Sequence, residues 1–343
     1  MPGSSEGSEN QQIKRIGLMG CKTKSRLIAV CGALFIVISL FFLGRSFIEG
    51  IHQAGGIGQL LNFDIPLFLG SMVLLAIHLM LAGLTWERVT TLSGGGIGFI
   101  RGFAIHFLSQ VGKYIPGKVW AAMGKYSLSR YSGLTAAQVG QGLILETVFI
   151  VLGCLTATIP LMPFIAEKAG LAPAAGTVLA VIPAAILLMS VHPFFFRKLA
   201  VLAAKVMKST GSLREFSFTE MICLYPIYLS LFVVLGVAFW VLALSFGLVM
   251  PFFPGVLIYP AAMGIGYLAI FAPGGLGARE LTAVWFIHVL VPDCEPGLAE
   301  LVTLVARLWI TAGEVIALGF SFFLFGIKPS AFKTMFSGGR LPD

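Results

Sequence analysis

Charge is what this sequence has least of. Asp, Glu, Lys and Arg make up 11% of its 343 residues, against 57% that are apolar, whereas a soluble globular domain carries about 25% charged residues. Half the usual charge cannot cover a folded body of this size in water. A soluble enzyme, a disordered chain and a DNA-binding domain are therefore excluded, and a mean hydropathy of +0.95 agrees. Cysteine is sparse: Cys21, Cys31, Cys154, Cys223 and Cys294 are scattered and form no CxxC pair, which argues against a disulfide framework and a zinc site. Asp64, Asp293 and Asp343 stand too far apart to suggest a magnesium cluster. HExxH and GxxxxGK(S/T) are missing, and GxSxG occurs only at 3–7, in a polar tail with no strand before it and no helix after it. Neither a catalytic residue, a metal nor a cofactor is expected, and ATP is not expected as a direct driver.

What the chain does have is long apolar runs. Six of them, 27–43, 65–86, 134–160, 173–191, 220–248 and 300–325, extend over 17 to 29 residues. Barrel strands would be about 10 residues of alternating character, so these predict helices, each able at ~1.5 Å per residue to cross a hydrocarbon core of ~30 Å, the first only barely. The formal charge of +8, from 23 basic and 15 acidic residues, reflects topology rather than nucleic acid. Nineteen of the 23 basic residues fall in 1–26, between Arg88 and Arg130, between Arg197 and Arg214, and in 327–343. By the positive-inside rule those four stretches are cytoplasmic, and so are both termini. The start, MPGSSEGSENQQ, is followed by a basic stretch and an apolar run without a small-residue cleavage site, so the first run is expected to be retained as a helix.

Two further apolar stretches are broken. Residues 98–131 are interrupted at YIPGKVW, and 256–291 at FAPGGLGARE. Each half is about 13–17 residues, short for a span, which favours two re-entrant hairpins over four extra crossings. Charge does not distinguish the two, because a pair of crossings cancels. The order then reads span, span, broken hairpin, span, twice over: 27–160 and 173–326 form an inverted repeat between a cytoplasmic tail at 1–26 and another at 327–343. Such repeats, with broken helices meeting near the midplane, are a common plan of secondary transporters. The predicted fold is thus all-α and polytopic, with about six full spans and two Pro/Gly-broken hairpins. A separate stretch, 194–208, places Phe195, Leu199, Leu202 and Val206 on one helical face with basic residues around it. It reads either as a helix lying on the cytoplasmic leaflet or as a solvated loop helix.

Charges inside the runs need a reason, since each costs about 2.5–3.5 kcal/mol at mid-bilayer. Glu146 lies in the third full run, and Arg307 and Glu314 in the last. Two turns separate Arg307 from Glu314, ~10 Å along the axis, so each must find a partner elsewhere. They serve either as packing pairs or in handling a substrate. In the first hairpin His106, Ser109, Gln110 and Lys113 share a helical face, and Lys118 follows Pro116-Gly117. Positive charge around this break suits a phosphate or another anion. Arg101, Lys125 and Arg130 read better as headgroup anchors, and His106 as a packed residue. At the second break, after Pro273, Gly274, Gly275 and Gly277 free the backbone to turn, and Arg279 and Glu280 open the next helix. A helix start beside an arginine can bind an anion; a glycine turn with Glu280 as a charged cap fits the same residues.

The motifs PGKVW and PGGLGARE, with an arginine in the last run, resemble the flippase-like membrane domain family that includes the transmembrane region of lysylphosphatidylglycerol synthases. The resemblance covers about 27–325. One difference is that a common family form has an acid soon after the first Pro-Gly; here Val119 and Trp120 follow Lys118, and no acid appears before Glu146. No acid–base partnership is therefore expected within that hairpin. What the resemblance implies is the handling of a lipid with a charged headgroup in a bacterial or archaeal plasma membrane. It does not imply the synthase reaction, which belongs to a separate soluble domain, and the longest polar stretch here, about 26 residues, is too short for one.

The leading expectation is a lipid translocase for an anionic or phosphate-bearing headgroup. Lys113, Pro116, Gly117, Lys118, Pro273, Gly274, Gly275, Gly277, Arg279, Glu280 and Arg307 are the candidate binding residues. Glu146 and Glu314 balance charge or carry a proton. Alanine at Arg279 is expected to abolish transport and leave folding intact. The alternatives are a non-transporting membrane partner of a glycosyltransferase or lipid-modifying enzyme, and an intramembrane enzyme acting on lipid phosphates.

Overall fold

The computed structural model describes residues 63–114, 119–168, 170–192, 194–195, 197–198, 201, 214–269 and 272–325, together with Arg45 and Ile48. The run 27–43, the Pro116-Gly117-Lys118 break, both terminal tails and most of 194–208 lie outside the described residues. Of that last stretch Phe194, Phe195, Arg197, Lys198 and Val201 are described, and all five are exposed.

Every regular element among the described residues is helical. In chain order they are α1 (Ile65–Leu92), α2 (Phe99–Gln110), a 3-10 turn at Val111–Tyr114, α3 (Val119–Tyr131), α4 (Ala136–Lys168), α5 (Pro173–Val191), α6 (Phe218–Ser245), α7 (Phe252–Leu268), a 3-10 turn at Pro273–Gly275, α8 (Ala278–Leu290) and α9 (Leu298–Phe325). Four are long and apolar enough to cross a membrane: α1, α4, α6 and Leu298–Leu324 of α9. The other two predicted runs stand differently. α5 is a helix of 19 residues, and 27–43 is not described. Both broken stretches are helix, tight turn, helix, and in each the two arms pack on one another.

Local chemistry explains several boundaries. Asp64 caps α1 by accepting the Leu67 N–H at 2.8 Å, with a proline in the first turn, where a missing N–H costs nothing. A reciprocal capping box between Ser217 and Glu220 starts α6, satisfying two otherwise orphaned donors. The sequence places the end of the third full run at Pro160, but α4 continues past Pro160 and Pro163 to Lys168. Proline rarely sits inside a water-soluble helix. Within an apolar bundle neighbouring helices re-satisfy the freed backbone groups, so the helix need not stop.

The core runs between α1, α4, α6 and α7. α1 lies along α6, where the buried His78 ring meets the Leu231 carbonyl through Nδ1 at 3.0 Å. Tyr259 stacks on Phe239 with ring centroids 4.7 Å apart, and Phe149 on Tyr228 at 5.3 Å. Outward faces stay apolar: Val73, Ile77, Leu308, Val315, Ile316 and Phe323 are all exposed. Such faces would associate in water and are matched to hydrocarbon. Close approach of helices depends on glycine at some positions and not at others. A Cβ on Gly236 of α6 would collide with the Val256 carbonyl of α7, whereas one on Gly319 of α9 would meet nothing within 4 Å. Gly236→Ala is expected to destabilise the protein by about 1–3 kcal/mol, and Gly319→Ala to be neutral or slightly stabilising. Thermal melts of the two variants in detergent check this; equal melting temperatures would contradict the α6–α7 contact.

The packing has a regular correspondence. α1 packs on α2 as α6 packs on α7; α2 on α3 as α7 on α8; α3 on α4 as α8 on α9. Across the two sets, α2 packs on α9 as α7 packs on α4, and α1 on α9 as α6 on α4. α1 with α6, and the two 3-10 turns with each other, are the pairs that exchange into themselves.

Candidate functional site

Two hairpin tips meet within the bundle. At the first, α2 tightens into the 3-10 turn that carries Lys113. Gly112 lets this turn fold onto the start of α3, because a Cβ there would collide with the backbone at Trp120 and Ala121. Lys113 Nζ donates to Glu314 Oε1 of α9 at 2.5 Å, and the two side chains keep 24% and 19% of their surface exposed. The first tip is thus tied to the last span.

At the second tip the backbone does what its glycines allow. Gly274, Gly275 and Gly277 all have positive φ, 60°, 69° and 82°, a region closed to most other residues. Gly275 also lies against the backbone of Gly266, whose carbonyl oxygen would be 2.9 Å from an added Cβ. The turn delivers Arg279 and Glu280 to the start of α8. Glu280 Oε2 accepts the Gly277 N–H at 2.7 Å, and its Oε1 accepts from Arg279 Nη2 at 2.8 Å and Nε at 3.2 Å. Arg307 of α9 approaches the same Oε1 at 3.6 Å and donates to the Gly274 carbonyl at 3.2 Å. The Arg279 guanidinium also lies 5.4 Å from the Tyr259 ring centroid, a cation–π distance, and 2.9 Å from Met263 Sδ.

Among the described residues the tips therefore gather three cations, Lys113, Arg279 and Arg307, and two carboxylates, Glu280 and Glu314. Lys113 is within electrostatic range of both arginines. The anion resting on the α8 start is the chain's own Glu280 carboxylate, as the charged-cap reading of this turn has it. Arg279 and Glu280 are only 5% and 4% exposed. The expectation that alanine at Arg279 would leave folding intact needs correction for that reason: the residue is part of a buried charge network.

A second cluster lies on α2, α3 and α4. Lys125, expected among the headgroup anchors, is 4% exposed. Its Nζ donates to Glu146 Oε1 and lies 3.2 Å from His106 Nδ1 and 4.4 Å from the centroid of the Trp86 ring. His106 Nδ1 is itself 3.6 Å from Glu146, and its Nε2 is 3.3 Å from the Gln110 amide. The anchor reading fails at Lys125 because Gly124, Lys125, Leu128 and Ser129 form the buried face of α3, turned toward the acid of α4. Arg101 and Arg130 are exposed, as anchors would be. Glu146 thus belongs with Lys125 rather than with the tips. Both described hairpin lysines take their acids from spans outside the hairpin, Lys113 from α9 and Lys125 from α4.

Tyr259, Met263 and Trp86 also line these clusters, and the sequence did not single them out. An aromatic or a methionine inside an apolar run looks like core packing until its neighbours are known. Among the described residues no three His, Cys, Asp or Glu side chains come together as a metal site.

A bundle of apolar helices with charged groups gathered at two glycine- or proline-broken hairpins defines a polytopic helical membrane protein with a polar centre. The chain belongs to the family of lysylphosphatidylglycerol synthase transmembrane regions: the family profile, Lysylphosphatidylglycerol synthase TM region, matches residues 28–319. That membership is consistent with a role concerning membrane lipids. No curated protein sequence matches the chain.

Proposed function

We propose that this protein is a translocase for a lipid with an anionic or phosphate-bearing headgroup, driven without ATP and performing no chemical turnover. The observation that carries the reading is the gathering of Lys113, Arg279 and Arg307 with two carboxylates where the hairpin tips touch. Among the described residues these are three cations and two carboxylates, in a bundle with apolar outer faces. A phosphate entering there can compete with Glu314 for Lys113, the more open of the pairs, by charge-assisted hydrogen bonds.

The finer architecture follows from the same reading. The two broken stretches are re-entrant hairpins in an inverted repeat, entered from opposite sides. The exchange-related packing of α1–α4 with α6–α9 supports this. So does a charge correspondence: the outgoing arm of each hairpin pairs with the span that follows it, Lys125 with Glu146 and Glu280 with Arg307, with signs exchanged. The positive-inside bias of the basic stretches supports both termini in the cytoplasm, and the family resemblance supports the plasma membrane of a bacterial or archaeal cell. The second reading, a non-transporting partner of a glycosyltransferase or lipid-modifying enzyme, is favoured by the pairing of these buried charges with one another, which a packing role also requires.

Leaflet exchange in liposomes tests both. Purified protein is reconstituted with labelled lipids of several headgroups, beside Lys113→Gln. Exchange selective for anionic headgroups is expected, slowed about ten-fold or more in the variant, as for the loss of one charged hydrogen bond. Little stability should be lost, because the pair is partly open. Wild-type rates in Lys113→Gln would overturn the assignment of the tips. No exchange of any lipid, with or without a proton gradient, would transfer the argument to the partner reading.

A further inference from the structure

We propose that Arg214 is a releasable latch: its guanidinium ties the end of α1 to the start of α6, and its release opens the bundle at that end. Nη1 donates to the carbonyl of Leu92, the last residue of α1, and Nη2 donates to Glu220 Oε1 in the first turn of α6 at 2.6 Å. The main chain of Arg214 is held from a third side. The Gln141 amide of α4 donates to the Arg214 carbonyl at 2.7 Å and accepts the Arg214 N–H at 3.2 Å. Gln141 is 2% exposed, so this clamp belongs to the packed bundle and presents the guanidinium to both helix ends. The guanidinium itself is open to solvent: the side chains of Arg214 and Glu220 keep 44% and 33% of their surface exposed.

The opposite end of the same helix pair is closed differently. His78 and Leu231, which meet where α1 lies along α6, are 153 residues apart in the sequence. The same shift carries Ile65–Leu92 onto Phe218–Ser245, both of 28 residues. It carries the contact of Gly83 with Phe103 onto that of Gly236 with Val256, and the contact of Gly102 with Glu87 onto that of Gly255 with Trp240. The two ends of the α1–α6 seam can therefore be compared residue by residue. At the far end Asp64, the cap of α1, donates its main-chain N–H at 2.7 Å to the carbonyl of Ser245, the last residue of α6, and Phe63 stacks on Phe246 with centroids 5.2 Å apart. The counterpart bond would join the Ser217 N–H to the Leu92 carbonyl. The Ser217 N–H instead donates to Glu220 Oε2 at 2.9 Å, within the capping box of α6, and the Arg214 side chain takes its place at Leu92.

This difference sets which end gives first. A main-chain bond between the termini of two packed helices breaks only when the helices part. A guanidinium on a long side chain can turn away before they do, and water and salt screen its half-exposed pair with Glu220, a class of pair that contributes little to stability. The end held by Arg214 is thus the weaker closure. The positive-inside bias supports this end as the cytoplasmic one, so a lipid drawn from the cytoplasmic leaflet would meet the latch before the hairpin tips. That consequence rests on the translocase reading, whereas the latch rests on the two closures alone.

Cysteine accessibility in the full chain, reconstituted in lipid, tests it. The five native cysteines are replaced by alanine, and one reporter is added at a time. Leu224→Cys lies one turn beyond Glu220 on the same face of α6, and Ser71→Cys is its counterpart at the far end; the two native residues are 2% and 0% exposed. Arg214→Gln is expected to raise the rate of maleimide labelling at Leu224→Cys about ten-fold, as for the loss of one charged hydrogen bond, and to leave Ser71→Cys unchanged. No rise at Leu224→Cys overturns the proposal, as does an equal rise at both reporters, the mark of general loosening. Ionic strength gives a second readout that leaves Arg214 in place. Salt is expected to speed labelling at Leu224→Cys while Arg214 is present and to add nothing in Arg214→Gln; a salt effect that persists undiminished in Arg214→Gln overturns the latch. Neither measurement involves lipid exchange, so a protein that exchanges no lipid would leave the latch standing, and a missing latch would leave the assignment of the tips untouched.

Discussion

Glu280→Ala is expected to destabilise the protein by about 3–5 kcal/mol, the range for removing one partner of a buried ion pair. Its carboxylate accepts from the Arg279 guanidinium and the Gly277 N–H, and the Arg307 guanidinium lies 3.6 Å from it as an ion pair. Truncation leaves two guanidiniums facing each other near the bundle centre and reopens the start of α8. Arg279→Ala should cost less, because Arg307 and the Gly277 N–H still hold the acid. The double variant Arg279→Ala, Glu280→Ala should lose less than the sum of the two single losses, as coupled neighbours do. Unfolding midpoints in detergent, with the double-mutant cycle, check the order. A Glu280→Ala protein as stable as the wild type would contradict the network. Transport loss in either variant therefore says nothing about substrate contact unless stability is measured beside it.

The cluster on α3 and α4 should respond differently to single and paired substitution. Glu146→Ala strands the Lys125 ammonium in a 4% exposed position, with the His106 and Trp86 rings beside it, and about 3–5 kcal/mol is expected to be lost. Lys125→Met with Glu146→Leu removes both charges and keeps similar volume. Replacing a whole buried pair by apolar residues is often neutral or stabilising, so the double variant is expected to recover most of the loss. It should also keep lipid exchange, since Glu146 lies with Lys125 and not at the tips. Recovered stability with abolished exchange would return Glu146 to the charge-carrying role that its place in an apolar run first suggested.

Particular elements show how much could be read beforehand. Long apolar runs pointed to α1, α4, α5, α6 and α9 because a backbone in hydrocarbon must satisfy its own hydrogen bonds. Glycines at 274, 275 and 277 announced the second turn, since only glycine enters positive φ without strain. The first break was legible from its Pro116-Gly117 pair, which lies outside the described residues. The end of α4 was not, because proline breaks helices in water and is tolerated in a packed apolar bundle. At the site, Lys113, Arg279, Glu280, Arg307 and Glu314 were singled out in the sequence as charged candidates, and the structure brings them together. Lys125 was misread, since a lysine near a predicted membrane edge looks the same whether it faces headgroups or an acid one helix away.

By itself the sequence determined the solvent of this protein, the order of its described apolar helices, the places where they break and the charges that need partners. Each of these is set by a property local in the chain: transfer free energy summed along a run, the φ a glycine permits, the cost of one ion in hydrocarbon. Only the tertiary structure decided which charge meets which. Pairing depends on how α2, α3, α8 and α9 are rotated and how deep each tip sits. Those follow from side chains packing between helices distant in sequence, of which Gly236 against Val256 and Lys113 against Glu314 are examples.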